Sequence, residues 1–226
     1  FNDPKDFEKY PVTINSDIDA LEKAGCDVLF LPGIKEIYPN GTTALPQYDL
    51  GYLETVLEGK YRPGHFQGVC QVVYRLLDII KPNTLFLGQK DFQQAALVRQ
   101  LAKDLNLPGL LKVHPTVREA DGLALSSRNV YLSAQQRKAA PVLYRALQAG
   151  AAAIRDGERR GSLIRRRMAR LIETERLVSP EYLAVCDPST LEPLQTIQRQ
   201  AILLGVIRIG SVRLLDNMPV TVRPKS

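Results

Sequence analysis

Gly88-Gln89-Lys90-Asp91 follows directly on the apolar run Thr84-Leu85-Phe86-Leu87, and helical spacing resumes at Phe92. In an open parallel sheet, ligands collect beyond the carboxyl ends of the strands, where such turns lie. Gly88 lets the backbone come close to a bound group. Lys90 supplies a positive charge, and the helix N-terminus offers N–H groups to phosphate oxygens. Gln93 and Gln94, in the helix's first turn, are placed to hydrogen-bond a small polar ligand. A plain strand-to-helix turn with a solvated lysine has the same residues. A second set, Ala124-Leu125-Ser126-Ser127-Arg128-Asn129, brings two hydroxyls beside a guanidinium, whose planar fork suits a polyphosphate. The alternative there is a polar interdomain loop. In Arg62-Pro63-Gly64-His65-Phe66 a turn separates a basic residue from an imidazole, a group suited to phosphate binding or proton transfer near neutral pH. A structural or exposed histidine reads the same way. His114 has no partner in sequence and is given no role. With two histidines and no acidic cluster around them, the pattern does not point to a protein-ligated metal.

These groups need a frame. Ile14, Ile18, Leu21 and Ala24 form a helical stripe that Gly25 stops. Cys26–Leu31 reads as a short buried strand ended by Pro32 and Gly33. Helical spacing returns from Val69 to Ile80, and Pro82 ends it. Thr84–Leu87 is a second strand, Phe92–Leu105 a helix, and Leu110–Val113 a third strand. Apolar strands separated by helices predict a parallel sheet covered on both faces. The second half differs. Ser133 and Gln136 form a capping box for a helix running to about Ile154, and another helix covers Ser162–Leu177. Tyr182–Cys186, Ala201–Ile209 and Val212–Leu215 then read as strands, with Gly210-Ser211 between the last two. Helices first and strands later predict a small α+β domain with an antiparallel sheet. The boundary falls near Thr116, giving domains 1–116 and 117–226. Both donor sets flank it, which favours a nucleotide site in an interdomain crevice.

Length and composition fit a soluble enzyme of one large or two modest domains: 226 residues, 45% hydrophobic, 24% charged, net charge +6. No apolar run approaches the ~20 residues that cross a bilayer, and no secretory signal is visible. Cys26, Cys70 and Cys186 are few and far apart, as expected of free, partly buried thiols in a reducing cytosol. The basic stretch Arg155–Arg170 is the one candidate for gripping nucleic acid. Arg165, Arg166 and Arg167 are consecutive, however, and fan around a helix that keeps Leu163, Ile164, Met168, Leu171 and Ile172 as an apolar stripe. A solvated helix face is the reading preferred.

The segments DFEKYP, EIYPNG, LEGKYRPGHFQGV, FLGQKDFQQ, PTVREADGLALSSRN, YLAVCDPSTLEPL and VRLLDN, in this order from Phe1 to about Asn217, resemble the pantothenate synthetases. That resemblance implies a Rossmann-like nucleotidyltransferase domain followed by a small α+β lid domain. It implies a ligase that uses ATP to join pantoate to β-alanine through pantoyl adenylate, releasing pyrophosphate and then AMP. Carried over residue by residue, Gly88, Gln89, Lys90 and Asp91 match the ATP loop. Ser126, Ser127 and Arg128, beside Leu125, match the loop acting with Lys90 on the departing pyrophosphate. Val117 matches a backbone contact to adenine and Gln94 a pantoate-binding glutamine, while Arg62 and His65 match a loop near the triphosphate. ATP as substrate, Mg²⁺ held largely by phosphate oxygens, a homodimer and a cytoplasmic location are expected. Neither a nucleic acid nor a membrane is an expected partner.

Two departures qualify the match. The family loop usually reads GEKD, and Gln89 replaces the acid, which predicts tuning rather than loss. The family's HxGH-type motif, first strand and helix, and NPxQ segment would all precede Phe1. The 226 residues alone are therefore expected to lack the first β-α-β part and to be inactive and poorly stable; robust ligation by a chain starting at Phe1 contradicts that. A related nucleotidyltransferase using another acid or amine, a basic nucleic-acid-binding module, and an inert scaffold are the other readings.

Overall fold

A computed structural model of the protein describes residues 10–43, 45–106 and 110–222. Phe1 and Asp6–Lys9 of the DFEKYP segment lie outside them. In chain order the helices are α1 (Ile14–Lys23), α2 (Ile34–Ile37), α3 (Tyr52–Thr55), α4 (Glu58–Tyr61), α5 (His65–Ile80), α6 (Phe92–Asp104), α7 (Ala134–Ala139), α8 (Val142–Arg155) and α9 (Gly161–Ile172). The strands are β1 (Thr84–Gly88), β2 (Leu110–His114), β3 (Val178–Cys186), β4 (Gln200–Ile209) and β5 (Val212–Thr221).

β1 and β2 pair in parallel, from Thr84 opposite Leu110 to Gly88 opposite His114. α6 crosses between them and buries Leu97, Val98 and Leu101. Leu97 and Leu101 form one core with Leu50 and with Phe66 and Cys70 of α5. The sheet is not covered on both faces as expected, since Phe86 is 61% exposed. Cys26–Leu31 is not a strand either. Val28 is 81% exposed and Leu29, Phe30 and Leu31 also face solvent. An apolar run becomes a strand only where a ladder partner accepts its backbone groups, and among the described residues β1 and β2 pair only with each other.

The second sheet, in the order β3-β4-β5, is antiparallel throughout. Its centre is β4, apolar on both faces because alternate residues serve different cores. Ala201, Leu203, Ile207 and Ile209 join the large core under α8 and α9. Ile202 and Leu204 face the other way, into a cluster with Cys186 and Leu191 against which Leu53, Leu57 and Phe92 pack. That cluster joins the two halves. On α9, Ile164, Met168 and Ile172 are fully buried at helical spacing, and Arg165, Arg166 and Arg167 are exposed.

Several boundaries differ from expectation. α5 begins at His65 rather than Val69, and Gly64, at φ +75°, caps its start in the left-handed region. The capping box of Ser133 and Gln136 is present, but the expected long helix is two. Pro141 lacks an N–H to continue the ladder and stands at the N-cap of α8. α9 stops at Ile172, five residues short of Leu177. β3 starts at Val178 and β5 runs on to Thr221. Of the cysteines, Cys70 and Cys186 are buried and Cys26 is exposed. Burial pushes the Cys70 thiol up to about 11 and the Cys186 thiol up to about 12.

Candidate functional site

The turn after β1 is a single 3-10 turn, Gln89–Asp91, that leads straight into α6. Gly88 is extended, and the space where its side chain would stand is open to 4 Å. Lys90 is half-buried, its Nζ 3.4 Å from Asp91 Oδ1.

Facing it, residues 117–125 form a tight loop. The Leu125 N–H donates to Val117 O at 3.0 Å and the Glu119 N–H to Leu123 O at 2.8 Å. Gly122 has φ +91°, and a Cβ there would lie 2.0 Å from Tyr144 Cδ1, so no other residue fits without displacing that ring. Arg137 of α7 braces the loop by donating to Asp121 Oδ2 at 2.5 Å and Glu119 Oε2 at 2.6 Å. The hydrogen bond from Arg137 holds the Asp121 carboxyl below its ordinary range. Ser126 then caps the 3-10 turn Ser127–Tyr131, its Oγ accepting from the Arg128 N–H at 3.3 Å. The Arg128 guanidinium lies 5.4 Å from the Tyr10 ring centroid.

Both loops open on one cavity of about 1910 Å³. Its walls include Gly88, Lys90, Asp91 and Gln94 from one side and Val117, Leu125, Ser126, Ser127 and Arg128 from the other. Arg62 and His65, at the start of α5, complete the ring, with Arg62 Nη1 3.0 Å from His65 Nε2. A guanidinium only donates, so Nε2 accepts and the ring proton sits on Nδ1 in this arrangement. Gln89 alone of the sequence-derived site residues is not on the wall; its Nε2 donates to Asn217 Oδ1 at 3.1 Å.

Gln93 differs from expectation. It is 3% exposed, its amide donates to Leu53 O (2.6 Å) and Val56 O (2.9 Å), and its oxygen accepts from the Glu58 N–H (3.0 Å). Gln93 and Gln94 both line the cavity, but the main bonding capacity of Gln93 is held by the α3–α4 segment.

Sequence reasoning missed the ion pairs that close the cavity's edge. Arg213 of β5 donates to both oxygens of Glu58, at 2.6 and 2.7 Å, and to Glu181 at 2.6 Å. Tyr182 donates to Glu58 at 2.9 Å, and its ring stacks on Tyr61 with centroids 5.4 Å apart. Glu181 sits at a bulge in β3, where the register shifts between Pro180 and Tyr182 and the extra residue can aim its carboxylate at Arg208 and Arg213. Burial alone would raise the Glu58 carboxyl, but the hydrogen bonds and charge of Arg213, with Tyr182 and Arg62, hold it below its ordinary value. Arg118 grips Asp216 through both oxygens, at 2.5 and 2.9 Å. Burial nonetheless pushes the Asp216 carboxyl above its ordinary range, against the pull of Arg118. The available signal was in VRLLDN, where a charge and an amide interrupt an apolar strand.

Comparison with known proteins gives a consistent result. The family model described as Pantoate-beta-alanine ligase matches residues 1–219. The pantothenate synthetase of Chloroflexus aggregans is 47% identical over 218 residues, which cover 96% of this chain and 78% of that protein. Among solved structures, the pantothenate synthetase of Thermus thermophilus superposes with a TM-score of 0.90 at 42% identity, covering 94% of this chain and 76% of that one. The pantoate-beta-alanine ligase of Francisella tularensis, complexed with beta-gamma ATP and beta-alanine, gives a TM-score of 0.75 at 33% identity over 96% and 74% of the two chains.

Proposed function

The chain belongs to the pantoate–β-alanine ligase family, and on that premise we propose that its cavity joins pantoate to β-alanine using ATP. The observation that carries the reading is the shared cavity: the Lys90 turn and the Ser126–Arg128 loop open on the same space. A Francisella relative complexed with beta-gamma ATP and beta-alanine supports the choice of ligands.

The chemistry sets the demands on the residues. A pantoate carboxylate oxygen attacks the α-phosphorus of ATP, the bond to the bridging oxygen breaks, and pyrophosphate leaves with the electron pair. The β-alanine nitrogen then attacks the acyl carbon of pantoyl adenylate. AMP leaves and the amine gives up its proton. Negative charge gathers on the pyrophosphate in the first step, so fixed donors there lower the barrier. Lys90 and Arg128 are the cations assigned to it, with the Ser126 and Ser127 hydroxyls beside them. Gln94 is assigned to pantoate, the Gly88–Asp91 backbone to the phosphates, Val117 and Leu125 to the adenosine, and Arg62 with His65 to the triphosphate's far end. Among the described residues no group of three or more His, Cys, Asp or Glu side chains gathers. Mg²⁺ is assigned largely to the phosphate oxygens, and the ion would enter with the nucleotide and neutralise part of its charge.

The same proposal divides the chain into a nucleotide-binding domain, residues 1–116, and a lid, residues 117–226. It includes a homodimer in the cytoplasm; among the described residues no helix is long and apolar enough to cross a membrane. The test uses the protein as its native gene encodes it. AMP should form from ATP only when pantoate and β-alanine are both present. AMP formation that is indifferent to pantoate, or faster with another acid, would assign the cavity to a different ligation.

A further inference from the structure

Asn217 lies on β5, in the second sheet, 1% exposed, yet among the described residues its side chain bonds only to the turn that carries Lys90. Its Nδ2 donates to Gln89 O at 2.8 Å and to Lys90 O at 2.9 Å, and its Oδ1 accepts from Gln89 Nε2 at 3.1 Å. The two carbonyls can only accept, so the amide nitrogen must face them and the orientation of the group is fixed. Oδ1 is then left facing residue 89, where Gln89 supplies a donor. A carboxylate held in the same place would set acceptor against acceptor. The clamp is itself held from behind. The Asn217 N–H donates to Asp216 Oδ1 at 2.8 Å, and Arg118 grips Asp216 through both oxygens while also reaching Asn217 O at 3.4 Å.

We propose that Asn217 is a positioning residue for the ligation, fixing the Gln89–Lys90 peptide against the second sheet with the Gln89 amide as its partner donor. Lys90 takes its place from β5 as well as from β1, and Arg118, one residue after Val117, ties the opposite loop to the same point of β5. The Gln89 side chain accordingly serves the clamp and not the ligand, in keeping with its absence from the cavity wall. This rests on the reading of the turn as the nucleotide site.

The experiment compares wild type with Asn217→Ala, Gln89→Glu and Gln89→Met, measuring amide hydrogen exchange across residues 88–94 and ATP affinity by calorimetry. Exchange in the turn should quicken in all three while β4 keeps its protection. ATP affinity should fall about tenfold for Asn217→Ala, which loses two donors, and by less for the Gln89 variants. Should Asn217→Ala fail to fold, the Gln89 variants leave β5 intact and decide alone. Wild-type exchange in the turn of a folded variant overturns the proposal. So does exchange that quickens equally through β4 and β5, the mark of a residue that merely stabilises the sheet. If wild type bound no ATP, the nucleotide reading would fail, and the exchange measurements would still judge the clamp.

Discussion

Lys90 is held on three sides: by its own helix start, by Asp91, and by the carbonyl grip of Asn217. A cation so placed acts through a fixed position, and removing it should cost about 3 kcal/mol of barrier, roughly a hundredfold in rate. Lys90→Ala is therefore expected to slow AMP formation by about that factor with its melting temperature nearly unchanged; steady-state rates and a thermal melt check it. Arg128→Lys should also slow the reaction, because a point charge replaces a planar fork. Lys90, Arg128, Gln94 and the serines were legible as candidates because each set sits within a few consecutive residues. Gln93 was legible by type and not by use, since its partners lie 35 to 40 residues away. The partners of Glu58 and Asn217 are more distant still, at separations of 155 and 128 residues, and nothing local announces them.

At the scale of elements, patterning succeeded where the core supplies what the pattern assumes. α9 is the clearest case: Ile164, Met168 and Ile172 point into the main core, and Ile164→Ala should destabilise the protein by about 2–5 kcal/mol, read as a lower denaturation midpoint. The reading of Cys26–Leu31 as a strand went wrong because an apolar run specifies burial without naming the neighbour that provides it. Pro141 was overlooked inside a strong helical pattern, where its missing N–H splits α7 from α8. In the loop facing Lys90, the glycine requirement is steric. Gly122→Ala must displace the Tyr144 ring and hold a positive φ, so it should lower both stability and ATP affinity, while Gly157→Ala, with open space around it, should show only the backbone cost.

Across the whole molecule, the two halves meet through the cluster around Ile202 and Leu204, through the Glu58–Arg213 pair and through the Asn217 clamp on the Lys90 turn. Glu58 gives that junction an acid limit. Its carboxyl is depressed from an ordinary 4.5, so its contribution is complete above that value and is lost as pH falls through the lower folded-state value. Chemical denaturation from pH 6 downwards should show wild type losing stability below about pH 4.5, with Glu58→Gln flatter over the same window. The central claim is that two loops from opposite sides of the junction grip one nucleotide. The direct measurement is an ATP titration followed by amide NMR at Gly88 and Lys90 and at Ser127 and Arg128. The account predicts that all four signals move along one saturation curve, at one nucleotide per chain. Movement confined to one loop, or two curves with different midpoints, would contradict it.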